Sequence, residues 1–390
     1  MTASRPLFGL ERVWLVADRL WPGFVNQLVI EGAGDLDPVR WRAAVDTVLP
    51  KWPAARARLR GVSIWTRWVA DGVPPVVTEV DGAGWDARGP APFAATRLDP
   101  DEGPIVEVLL VSGATPRVVL RTHHAAFDGR AAWALAEDLG AALRGEPVRG
   151  AAFADLSDVA LIGEAQATPE PPADAITPTG GATTREEATT WARVTLPPSE
   201  GQVLTRALSA FAAAVDTLGV AGPLRVSLPV DLRRHHVGLR AAANLTGFVR
   251  LDPRVSPEAS LQRALARRDE GGVVRTAHTL RSTPLAVMGF AGRRAALATL
   301  RTGRAASSAT LSNLGRLDPG VLDGAGFRGE RLFWIPPGNP GTPLFLTLTG
   351  HPGGIELCGG MPVGFGSEGR LDALLAAIAA HMVLGAQRSG

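Results

Sequence analysis

Residues 165–184 (AQATPEPPADAITPTGGATT) are rich in proline, threonine, alanine and glycine and show no apolar periodicity. Such a stretch reads as a linker rather than as a packed element. It divides a chain of 390 residues into two parts of similar size, 1–164 and 185–390. Each part is long enough for a core of its own at roughly 150 residues per domain. No repeat relates the two parts.

Both parts mix element types. In the first, Asp37 is placed to cap a helix that starts with Pro38 and runs to about Leu49. Val62–Val69 and Val76–Val80 flank Ala70-Asp71-Gly72 and predict a hairpin. Ile105–Val111 and Val118–Arg121 read as strands, and Ala131–Leu143 as an amphipathic helix. In the second part, strands are expected at Trp191–Leu196, Leu224–Leu228, Gly247–Leu251, Leu344–Leu348 and Ile355–Cys358. Helices are expected at Gly201–Leu218, Pro257–Arg268, Leu285–Leu300 and Arg370–Val383. The fold class is therefore α/β, of the α+β kind, in two subdomains.

Composition narrows the function. A 46% apolar content excludes global disorder, and the lone Cys358 excludes a disulfide framework or a cysteine-built zinc site. The isoelectric point of 9.4 suggests a polyanion partner, yet the net charge is only +2. Lys51 is the only lysine and tyrosine is absent, so almost nothing titrates between about pH 8 and 12 and the charge curve crosses zero late. No nucleic-acid partner is expected, and Arg56, Arg58 and Arg60 read as a helix end as readily as a phosphate clamp. Met1–Leu20 carries five charges and has no signal core. Pro284–Leu300 is interrupted by Arg293 and Arg294 and is too short for a membrane span. A soluble, cytoplasmic protein is expected.

The chemistry concentrates in Val118-Val-Leu-Arg-Thr-His123-His124-Ala-Ala-Phe-Asp128-Gly129-Arg130, a strand, a short loop and a helix start. Adjacent histidines at a strand exit point to opposite sides, so only one faces a given cavity. Imidazole has the unperturbed pKa best suited to proton transfer near neutrality. Asp128 follows four positions after His124, and Gly129 permits a sharp turn and close approach by a substrate. A histidine, a carboxylate and a glycine in one tight loop can mount a general base on a rigid strand end.

These residues resemble the HHxxxDG motif of the chloramphenicol-acetyltransferase-like superfamily, which includes peptide-synthetase condensation domains, plant BAHD acyltransferases and mycobacterial polyketide-associated acyltransferases. Three further segments resemble the family in the same order: Asp101-Glu-Gly103-Pro104 with its strand, Pro229-Val-Asp231-Leu-Arg233 with Asn244-Leu-Thr-Gly247, and Leu311-Ser312-Asn313-Leu-Gly315. The resemblance implies a V-shaped pseudo-dimer with the active site in a tunnel between the subdomains. It implies that His124 is the general base and that Gly129 helps hold the oxyanion. It implies that His123 is structural and that Asp128 pairs with Arg233 as a brace. Ser312 and Asn313 become candidates for oxyanion binding or for locking the interface.

The implied activity moves an acyl group from a CoA or carrier-protein thioester to a hydroxyl or amine acceptor, in natural-product biosynthesis. It needs no bound cofactor and no metal, and a monomer is expected. Tyr-x-Asp-Tyr and DFGWG segments are absent, which places the chain nearer to stand-alone acyltransferases. The alternatives are a free-standing condensation enzyme with carrier-tethered substrates, or a noncatalytic or repurposed (cyclase) member.

Other residues read as structural. His235 and His236 follow Arg233-Arg234 without the spacing of a metal site, and Cys358 reads as a small core residue. Trp65, Trp68 and Trp334 are candidates for a tunnel wall, with core packing as the alternative. Trp133 lies on the helix after the motif, and Phe127 is expected to pack inward.

Overall fold

The structure, a computed structural model, describes residues 2–21, 23–89, 91, 93, 97–154, 156–163, 174–180, 188–337 and 341–387. The first sheet has five strands in the order Phe327–Ile335, Val25–Gly34, Arg117–His123, Val106–Ser112, Val76–Asp81. Neighbours are antiparallel except for the last pair. Period-two alternation sends Leu28, Ile30, Val108, Leu110, Val118 and Leu120 to one face, against the helices Pro38–Val48 and Gly129–Leu143. The residues between them, among them Val29, Leu109, Val119 and Phe333, pack on the other face against Trp191 and Cys358 of the second half. Both faces are covered, which explains why these strands read as continuous apolar runs.

The helix Pro38–Val48 forms where the sequence predicts it. Asp37 Oδ1 accepts from the Val39 and Arg40 amides at 2.9 and 3.4 Å, and Trp41, Ala44, Val45 and Val48 make the buried stripe. The hairpin predicted at 62–80 does not form. Arg67–Val69 instead pairs with Ser4–Pro6 and Arg58–Arg60 in a small three-stranded sheet, while Val76–Asp81 runs parallel to Val106–Ser112. Pro74 and Pro75 supply no N–H beside the intended turn, and Trp68 is fully buried where its strand now lies.

The second sheet has six strands in the order Thr246–Leu251, Val226–Asp231, Ala309–Arg316, Phe345–His351, Gly354–Pro362, Thr189–Leu196. Its helices Val203–Thr217 and Arg370–Gln387 bury Leu208, Phe211, Leu374 and Ile378 against it. Of the stretch read as a linker, 165–173 and 181–184 lie outside the described residues. Between them Ala175–Ile176 pairs with Arg304–Ala305, and Thr179 Oγ1 donates to the Phe365 carbonyl at 2.8 Å.

The chain crosses between the halves more than once. Strand Phe327–Ile335, which follows the second sheet's first four strands in sequence, is an edge of the first sheet. The helix Gly9–Leu20 lies on Glu270–Thr279, and a Cβ on Gly9 would come within 2.3 Å of the Ala277 backbone, so that crossing requires glycine.

A buried ionic chain joins the sheets. Arg193 Nε donates to Glu356 at 2.8 Å and its terminal nitrogens to Glu31 at 3.1 Å, with the guanidinium 3.9 Å from the Phe333 ring centroid. Glu31 also accepts from Arg117 at 3.0 Å. Burial by itself would raise the Glu356 carboxyl, but His351, Arg193 and Thr195 hold it at about 2. Because that pKa is depressed, its stabilisation is present above the unfolded value, near 4.5, and is lost as pH falls toward 2. Glu356→Gln should therefore flatten the loss of thermal stability between those pH values, read by calorimetry across an acid series. Arg193→Met removes the cation shared by two buried carboxylates, leaving Glu31 to Arg117 and Glu356 to His351 and Thr195, and should cost about 3–5 kcal/mol in denaturant unfolding.

Candidate active site

The strand Arg117–His123 delivers the two histidines to different environments. His123 is fully buried: its Nδ1 accepts from the Ala125 amide at 3.2 Å, and its Nε2 lies 3.5 Å from Asp18. Burial would raise the Asp18 carboxyl, but His123 and Arg97 hold it below its ordinary value. His123 thus sits within a charged brace inside the first half.

His124 points the other way, into a cavity walled by both halves. Its Nδ1 lies 3.1 Å from the Phe127 carbonyl, which can only accept, so Nδ1 carries the proton and Nε2 keeps its lone pair. Asn26 Nδ2 donates to the same carbonyl at 2.7 Å, and Asn244 Nδ2 donates to the His124 carbonyl at 2.8 Å. Trp14 stacks parallel to the imidazole with centroids 5.8 Å apart, and Phe24 stacks at 5.0 Å. Burial pulls the imidazole pKa below its ordinary value, only partly opposed by the Phe127 carbonyl and by Asp128. The ring is held in a fixed plane.

Asp128 makes no hydrogen bond to the His124 ring. Its Oδ1 caps the helix Gly129–Leu143 through the Ala131 amide at 2.8 Å. Its Oδ2 accepts from the Leu245 amide and from Arg233 Nη1, both at 2.8 Å, across to the other half. Arg233 continues to Asp231 at 2.8 Å and to the Ala241 and Ala243 carbonyls at 3.0 Å.

Gly129 opens the helix, and as its first residue it has an amide with no intrahelical partner. It lines the cavity. Its backbone is not in the left-handed region, so backbone conformation does not demand glycine there. A Cβ would lie 3.0 Å from Leu314 Cδ2 on the strand Ala309–Arg316, so a larger residue would make that side chain give by a few tenths of an ångström. On that strand the pleat separates the two remaining candidates. Ser312 lines the His124 cavity, whereas Asn313 is exposed, borders a different cleft and accepts from the Gly315 amide at 3.1 Å. Asn313 is therefore not brought to His124.

Trp14, Phe24, Asn26 and Phe248 escaped the sequence reading, although all four line the cavity. Asn26 is a buried amide near the head of the strand Val25–Gly34, which also carries Gln27 and Glu31, so the sequence did not set it apart. Trp334 lines the cavity, Trp68 is core and Trp65 is exposed. Trp133 packs at the edge of the first core, and Phe127 is buried against Trp52. His235 bonds Glu270 and Arg268, both at 2.9 Å, while His236 is exposed. Cys358 is fully buried, and that burial raises its thiol far above the ordinary range. Among the described residues no cluster of three or more His, Cys, Asp or Glu could hold a metal, and no helix is long and apolar enough to cross a membrane.

No sequence family and no curated protein matches the chain. Solved structures do match it in shape. The first condensation domain of the calcium-dependent antibiotic synthetase, in complex with a substrate analogue, superposes with a TM-score of 0.65 at 19% identity, covering 97% of this chain and 95% of that one. The starter condensation domain of the rhizomide synthetase RzmA, in complex with C8-CoA and Leu-SNAC, gives 0.60 at 14% identity, covering 98% and 95%. TRI101 of F. graminearum, complexed with ethyl coenzyme A, gives 0.57 at 14% identity, covering 93% and 95%. The chain has the two-lobed, chloramphenicol-acetyltransferase-like fold of the condensation domains.

Proposed function

We propose that the protein is an acyltransferase in which His124 removes a proton from a hydroxyl or amine as it attacks an acyl thioester. The observation that carries this reading is the His124 ring. Its Nδ1 is committed to the Phe127 carbonyl and its Nε2 is free in a cavity between the halves. The acceptor's heteroatom bonds to the thioester carbonyl carbon while its proton passes to Nε2. The oxyanion that develops lies within the reach of the Gly129 amide at the positive end of a 15-residue helix, with Ser312 as a second donor. Collapse of the tetrahedral adduct breaks the carbon–sulfur bond, and the thiolate recovers the proton from His124.

The donor is a thioester of CoA or of a phosphopantetheinyl carrier, by analogy with the CoA compounds bound by the RzmA domain and TRI101. Asp128 and Arg233 position the loop and carry no proton. Natural-product biosynthesis by a monomer is the setting this reading favours.

His124→Ala should lower turnover by about 10²–10⁴-fold, the usual worth of a general base, with the melting temperature nearly unchanged. Incubation with acyl thioesters and candidate nucleophiles, read by intact mass, measures this. A folded variant with undiminished turnover would sink the assignment. The free-enzyme pH profile supplies a second check. His124 must be neutral to act and burial lowers its pKa, so the acid limb of kcat/KM should fall below the ordinary imidazole value. Activity should persist at pH values where an exposed histidine would already be protonated.

A further inference from the structure

Acidic residues number 38 in 390, yet residues 271–317 contain none beside seven arginines, and residues 47–70 contain none beside four arginines and Lys51. Folding brings the two stretches together. The turn Ser63–Trp65 lies against the helix Leu285–Thr302, and Arg12 Nη2 donates to the Thr283 carbonyl at 2.6 Å and to the Ser63 carbonyl at 3.5 Å. Among the described residues, six of the twelve large apolar side chains left exposed fall in these two stretches: Val62, Ile64, Trp65, Val287, Phe290 and Leu297. The segments without acidic residues therefore also carry the exposed apolar surface.

The helix combines both features on one side. Leu285 and Met288 pack inward on Val16 of the helix Gly9–Leu20, and Ala296 and Leu300 are buried on the same side. Opposite them, Val287, Phe290, Arg294, Leu297 and Arg301 follow one another at steps of three and four, within about a quarter-turn of the helix surface. Phe290 is 66% exposed, and Trp65 on the adjoining turn is 73% exposed. The Arg294 guanidinium lies 5.8 Å from the Phe290 ring centroid. Neither Arg294 nor Arg301 meets a carboxylate among the described residues, and both are exposed, as is Arg281 near the helix start.

Arginines interleaved with the apolar side chains oppose pairing with a second copy of this face, which would bring like charges together. The occupant must be anionic and must also take up apolar side chains. A bilayer with anionic lipid meets both demands. Val287, Phe290 and Leu297 reach its acyl boundary, while the arginine stems run beside them and carry their guanidinium groups to the phosphates. The apolar side chains stand out along a helix instead of lining a groove, which suits a fluid surface better than a shaped protein partner. We propose that this face docks on anionic membrane surfaces, with the helix Leu285–Thr302 lying in the interfacial plane and Trp65 at headgroup level. The helix lies on the bilayer and not across it, because it is not long and apolar enough to span one.

Co-sedimentation of the whole chain with lipid vesicles tests this. At low salt the chain should bind vesicles of phosphatidylcholine with about 30% phosphatidylglycerol roughly tenfold more strongly than vesicles of phosphatidylcholine alone, and about 0.5 M salt should release it. Arg294→Gln combined with Arg301→Gln should weaken partitioning by about fivefold for each charge removed. Phe290→Ser should weaken it as well, while the preference for anionic lipid remains. These side chains are exposed, so the melting temperature of each variant should match that of the parent chain. Binding to neither vesicle, equal binding to both, or binding that either variant leaves unchanged overturns the proposal. Capture by immobilised polyglutamate without vesicle binding also overturns it, and assigns the face to an acidic protein.

Discussion

The Asp128 carboxylate is the constraint on which the site depends. One oxygen starts the helix Gly129–Leu143, and the other ties that helix to Arg233 and to the Leu245 amide in the opposite half. Asn244, one residue before Leu245, in turn holds the His124 carbonyl. Thus the loop that carries His124 is fixed from both sides by the same short segment. A buried pair of this kind contributes little net stability, because desolvation offsets most of its attraction. Its value is geometric: it sets where the histidine and the helix terminus stand relative to the second half.

Charge is distributed accordingly. Between the sheets, Arg193, Glu31, Arg117 and Glu356 form a continuous buried chain. The His124 ring itself meets Trp14 and Phe24, while the nearby Asp128 turns to Arg233. The arginine-rich composition that raises the isoelectric point is therefore partly spent inside the molecule. Low polarity around His124 serves the proposed chemistry, since it keeps the imidazole unprotonated and strengthens the field of the helix terminus at the reacting carbonyl.

The motif region was legible because its elements are local: a β-branched strand, a five-residue loop and a capped helix follow one another in sequence. The same holds for Asp37 and the helix Pro38–Val48. What escaped was set by tertiary contact. Val62–Val69 looks like half of a hairpin with Val76–Val80 until Pro74 and Pro75 are weighed; Arg67–Val69 pairs instead with Arg58–Arg60 and with Ser4–Pro6, some sixty residues away. Trp14 and Phe24 lie in a stretch with no motif, and only folding brings them to His124. For Asn313 the error was one of phase, because adjacent residues on a pleated strand face opposite sides. Gly129 was singled out for a turn and for close approach, and its backbone is not left-handed; its neighbour Leu314, from a distant strand, was not legible in the sequence.

The exchanged strand Phe327–Ile335 bears on how such a chain can be cut, split or assembled during synthesis. Its partner Val25–Gly34 is ten residues long and is flanked on its other side by the motif strand. Until residues 327–335 emerge, the nascent first half presents a long, apolar, unpaired edge, the kind of surface that recruits foreign strands. The two halves are thus not modules that could be swapped at the 165–184 stretch. A chimera joined there would retain both motifs and still lack the strand that closes the sheet beneath the base.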